Sequence, residues 1–209
     1  MNHAIRTALL ATCLGLAPLL VMPAAAQPRP PVAIQETMDI GDEPGRVSTE
    51  EATITDGPYA RQMVLFRSNE APGTVVIHSA ERFLYVVQGN GRALRYGIGV
   101  GREGFEWKGT AKVALKREWP TWTPPREMIQ RQPELAKYAN GMEPGLTNPL
   151  GARALYLFNK GGDTGYRLHG TPEWNSIGKA MSSGCIRLMN QDIIDLYSRA
   201  EVGAKVIVL

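Results

Sequence analysis

The chain has 209 residues, with 23 Lys plus Arg against 20 Asp plus Glu, a formal charge of +3, and 44% hydrophobic residues. So even a charge balance implies no polyanionic partner, and no basic cluster is interleaved with aromatics, which argues against nucleic-acid binding. The length suits one domain with a proper core.

Arg6, the apolar run from Ala8 to Val21 and Pro23-Ala24-Ala25-Ala26 before Gln27 have the layout of a secretory signal, so residues 1–26 are expected to be cleaved near Ala26. The apolar run is short and holds Pro18, so no stable membrane insertion is expected after cleavage. Cys13 follows Thr12, a poor residue before a lipoprotein cut. Residues 27–72 are rich in Pro, Glu, Asp and Thr and read as a linker or N-terminal extension. Within them, Met63-Val64-Leu65-Phe66 reads either as a local strand or as an extra strand on the main domain.

From Gly73 short β-rich runs begin: Thr74 to His78, Arg82 to Gln88 and Arg92 to Val100, with Gly89-Asn90-Gly91 predicting a tight hairpin between the last two. Gly97, Gly99, Gly101 and Gly104 allow a close backbone approach, but a phosphate loop is excluded because no Lys-Ser/Thr pair and no helix follow. The segment from Glu106 to Leu150 reads as irregular, with Trp107, Trp119, Trp122 and a helical candidate from Arg126 to Tyr138. It is either a lid or groove wall, or a surface excursion whose tryptophans fill a satellite core. Strands are then predicted at Ala152 to Phe158, at Gly165 to Leu168 and at Ala204 to Leu209. A helix from Gln191 to Arg199 is predicted to be capped by Asn190, with Ile193, Leu196 and Tyr197 on one face.

After signal removal one cysteine, Cys185, and two histidines, His78 and His169, are left. An unpaired cysteine in an oxidising compartment needs a reason, and the small polar neighbours Ser182, Ser183 and Gly184 suit an accessible, reactive thiol better than a core position. Such a thiol needs a base, and His169, at a strand end before Gly170-Thr171, is better placed than His78, which sits inside an alternating strand. The sixteen-residue spacing of His169 and Cys185 suits two loop ends meeting in space rather than a helical metal pair.

The run His169-Gly170-Thr171, a gap holding Trp174, and then Ser182-Ser183-Gly184-Cys185-Ile186-Arg187 resembles the signature of the L,D-transpeptidase catalytic domain, or YkuD-type, family. Ser183 stands where that pattern has a second histidine. The resemblance covers residues 73–209 and implies a mainly β fold, a YkuD-like sandwich or barrel with short helices and a lid-like insertion. It implies Cys185 as nucleophile, His169 as general base and acid, the Gly170 carbonyl as orienter of His169, and the amides of Ser183, Gly184 and Cys185 as the oxyanion hole. Arg187 either binds a substrate carboxylate or pairs with Asp192 or Asp195, and Trp174 either walls the groove or packs structurally.

The implied protein is a periplasmic enzyme that forms a thioester with a peptidoglycan tetrapeptide stem and passes it to an amine, giving a 3-3 cross-link, with no metal or organic cofactor. Water as acceptor makes it an L,D-carboxypeptidase, and a protein amine makes it an enzyme that anchors outer-membrane proteins to the wall. A non-catalytic peptidoglycan-binding module is the reading in which Ser183 marks lost activity.

Overall fold

The computed structural model describes residues 57–209; the expected signal and cleavage site, and most of the N-terminal extension, lie outside the described residues. Strands β2 (Val75–His78), β3 (Phe83–Gly89) and β4 (Arg92–Gly97) form an antiparallel meander. At the β3–β4 turn Gly89, Asn90 and Gly91 have φ of 85°, 53° and 68°, a left-handed path that glycine and asparagine tolerate best. Strand β1 (Gln62–Leu65) pairs antiparallel with β4, Gln62 opposite Arg95, so Met63 to Leu65 belong to an extra strand on the main domain.

The remaining strands are β5 (Val100–Gly101), β6 (Gly109–Glu118), β7 (Arg153–Asn159), β8 (Gly162–Thr171), β9 (Ala180–Ser182), β10 (Ile186–Met189) and β11 (Lys205–Val208). Nine strands make one sheet in the order β1-β4-β3-β2-β11-β6-β7-β8-β10, and β5 pairs in parallel with β9. Gly99, just beyond β4, exchanges two backbone hydrogen bonds with Arg187 on β10 at 2.9 and 2.8 Å. The chain leaving one end of the sheet therefore meets the other end, and the sheet curls around a main core that includes Ile77, Leu84, Tyr96, Leu155, Leu168 and Leu188. This is the expected mainly β fold with short helices.

Three expectations change. The segment from Glu106 to Leu150 is not irregular throughout, because β6 runs through it and pairs with both β7 and β11. The helical candidate divides into α1 (Arg126–Arg131) and a 3-10 turn (Pro133–Tyr138). Pro133 forces the residue before it out of the helical region, and Gln132 accordingly has φ −137° and ψ 80°. Asn190 does not cap the following helix. Helix α2 (Asn190–Arg199) includes it as its first residue, and its Oδ1 accepts the Ala152 amide at 2.9 Å. Ile193 and Leu196 of α2 are fully buried in the main core, and Tyr197 packs against it.

Candidate active site

Strands β8 and β10 run in parallel, with Leu168 opposite Ile186 and His169 opposite Arg187. Leu168, Ile186 and Leu188 point into the core, so strand alternation turns Arg167, His169 and Arg187 to the other face. Cys185, one residue before β10, falls beside Arg167 and receives a hydrogen bond from its backbone. The register thus brings the only described cysteine to the same face as His169, one strand away and diagonal to it. His78, by contrast, lies on β2 among Phe66 and Tyr85, 3.5 Å from Glu81, and takes no part in this cluster.

His169 is buried, and its Nδ1 lies 2.5 Å from the Gly170 carbonyl oxygen. A carbonyl only accepts, so Nδ1 carries the proton and Nε2 holds the lone pair. Burial, opposed by the Gly170 hydrogen bond and reinforced by the Arg187 and Arg167 charges, lowers the imidazole pKa from 6.5 to about 4. Cys185 is closely surrounded yet partly open to solvent, and burial pushes its thiol pKa up; the Arg167 hydrogen bond and the charges of Arg167 and Arg187 oppose that rise. The resting pair is therefore a neutral imidazole beside a neutral thiol.

The turn that carries the sulfur is shaped by Ser182, whose buried hydroxyl donates to the Cys185 carbonyl at 2.6 Å and accepts the Gly184 amide at 3.1 Å. Gly184 has φ +120°, and a Cβ there would come within 2.9 Å of the Tyr166 ring and 3.0 Å of the Phe105 carbonyl oxygen, so only glycine fits. Tyr166 in turn stacks on Trp107, 5.3 Å between centroids, beneath the turn. Gly101 serves the same approach: a Cβ there would lie 3.0 Å from Gly184 Cα.

Of the three amides expected in the oxyanion hole, that of Gly184 already donates to Ser182 Oγ at 3.1 Å. Arg187 pairs with Glu173, 2.6 Å away, while Asp195 pairs with Arg61 at 3.2 Å. Trp174 sits half-buried in a short 3-10 turn (Trp174–Ser176), and Ser183 is exposed. The motif pointed to no role for Arg167 or Glu173; strand periodicity from His169 was the available signal for the first, whereas nothing local marks the second. The excursion after β6 is held together by Asn148, whose Nδ2 lies 3.0 to 3.2 Å from the carbonyl oxygens of Pro120, Met142 and Glu143.

The chain is 36% identical over 144 residues to the probable L,D-transpeptidase YbiS of Escherichia coli, covering 63% of this chain and 43% of that protein. It is 38% identical over 137 residues to the probable L,D-transpeptidase YcfS of the same organism, covering 63% and 42%. The chain thus spans less than half the length of these relatives. Among solved structures it is similar to a Brucella melitensis protein named a probable carnitine operon oxidoreductase, with a TM-score of 0.52 and 44% identity over 77% of this chain and 99% of that one. Residues 72–208 match the YkuD family, the L,D-transpeptidase catalytic domain, and the chain belongs to that family.

Proposed function

We propose that the protein is a periplasmic cysteine L,D-transpeptidase acting on peptidoglycan tetrapeptide stems. The observation that carries this reading is a thiol placed diagonally to an imidazole whose tautomer is fixed by Gly170. Nε2 of neutral His169 takes the Cys185 proton as the sulfur attacks the carbonyl on the L-centre of the diaminoacyl residue. The amides of Ser183 and Cys185 face the developing oxyanion, and His169 returns the proton to the departing D-alanine amine. An amine from a second stem then attacks the thioester, loses a proton to His169 and frees the thiol, leaving a 3-3 cross-link. Ser183 in place of a histidine is compatible with this scheme, since its contribution is a main-chain donor.

Intact-mass measurement after incubation with tetrapeptide stems tests the proposal. A thioester on the wild-type protein, absent from Cys185→Ala, together with a cross-linked product, is expected. An unmodified wild-type protein that also fails to form a carbapenem adduct on Cys185 overturns it. Product mass separates transfer to a stem amine from hydrolysis or transfer to a protein amine.

A further inference from the structure

Two arginines stand at the edge of the nucleophile turn without a carboxylate partner among the described residues. Arg102 follows β5, and its amide donates to the Ser182 carbonyl at 3.0 Å, which fixes it to the turn holding Cys185. Phe105, three residues on, closes a tight turn through its amide to the Arg102 carbonyl at 3.0 Å, and its own carbonyl abuts Gly184. The Arg102 guanidinium lies 4.6 Å from the Phe105 ring centroid, and that of Arg131, from α1, lies 5.4 Å from the same centroid. One half-buried ring therefore gathers two exposed guanidiniums, one from the turn's own support and one from the excursion after β6.

The arginines nearer the sulfur are already neutralised, Arg167 by a two-pronged contact with Asp163 at 2.7 Å and Arg187 by Glu173 at 2.6 Å. Arg102 and Arg131 form no ion pair among the described residues. Guanidiniums held against an aromatic ring keep their N–H edges free for planar, two-pronged recognition of a carboxylate.

We infer that Arg102 and Arg131, gathered on Phe105, form a carboxylate-binding rim that holds an acidic peptide stem beside the Cys185 turn. This rests on the proposed action on peptide stems and adds the residues and the charge that select them. Carboxylates are favoured over other anions because the rim is built on the same backbone turn that presents the sulfur to a peptide carbonyl.

The test uses the full chain carrying Cys185→Ser, which binds without turnover, titrated with a tetrapeptide stem bearing free carboxylates and with its fully amidated counterpart. The acid form is expected to bind about tenfold more tightly, with a preference that shrinks as salt rises and disappears in Arg102→Gln/Arg131→Gln. Equal binding of acid and amide by the parent, or an unchanged preference in the double variant, overturns the inference. Should the double variant misfold, Arg131→Gln alone decides, since α1 has no buried residues; full retention of the preference in it is equally fatal. Thioester formation by the wild-type chain is scored separately, so absent catalysis and absent carboxylate binding are told apart.

Discussion

His169 couples the chemistry of the site to the stability of the fold. Its pKa is 6.5 unfolded and about 4 folded, so between those values the unfolded chain takes up a proton that the buried ring refuses. Stability is unaffected above pH 6.5 and falls as pH drops towards 4, by up to ~3 kcal/mol. Urea unfolding across this window should show that slope in the wild type and a shallower one in His169→Gln; parallel curves would place the titration elsewhere. The same depression keeps the base neutral at pH 5, so the rate of Cys185 acylation is expected to show no inflection near 6.5. Cys185 and His169 were readable as candidates because a single unpaired cysteine and a histidine before glycine are local signals, and the strand register puts them on one face. The partner of Arg187 was not, since Glu173 reaches it only through the fold, while Asp195 accepts from Tyr96 at 2.6 Å and from Arg199 at 2.8 Å.

Elements with regular alternation or a turn signal were readable: the β3–β4 hairpin, β2, β7 and β11 lie where the apolar runs place them. Strand β6 escaped because its pairing with β7 shifts register between Val113 and Leu115, which breaks the period of two that marks a strand. Strand β10 escaped because its residues overlap the nucleophile motif, which drew the reading to chemistry rather than to a strand. The misassigned cap of α2 has a tertiary cause. Asn190 fits a cradle made by Gly151 and Gly170, where an added Cβ at either glycine would come within 2.3 Å of its Oδ1. Through that cradle the start of α2 and the start of β7 both bear on Gly170, whose carbonyl orients His169. Asn190→Ala should leave the Ala152 amide without its acceptor and cost about 1–3 kcal/mol in denaturant unfolding, with slower acylation. Asn190→Asp, which keeps the acceptor, should recover most of the stability; failure to do so would separate the cradle from the hydrogen bond.

At the scale of the whole molecule, the folded unit reaches further towards the N-terminus than residue 72, where the family match begins. The Tyr59 carbonyl accepts the Gly97 amide at 3.2 Å, and its side chain lies where a Cβ on Gly97 or Gly178 would be, within 2.4 Å of the first and 2.3 Å of the second. Gly178 belongs to the segment leading into β9 and the nucleophile turn, so Tyr59 ties the N-terminal stretch to the approach to Cys185. Arg61 reaches Asp195 at 3.2 Å, β1 covers the edge of β4, and Phe66 stacks on Tyr85 at 4.5 Å over the second, smaller apolar cluster. The run Met63 to Phe66 left an extra strand open as one reading, but Tyr59 and Arg61 were concealed because they are single side chains in polar sequence. A chain starting at Pro72 should therefore be less stable than one starting at Gly57 by about 2–4 kcal/mol, since an aromatic anchor and a sheet edge are lost together. It should also associate through the uncovered β4 edge, which sedimentation would detect, and acylate Cys185 more slowly as the segment around Gly178 loosens. Equal unfolding midpoints for the two chains would show instead that residues 57–71 only rest on the domain.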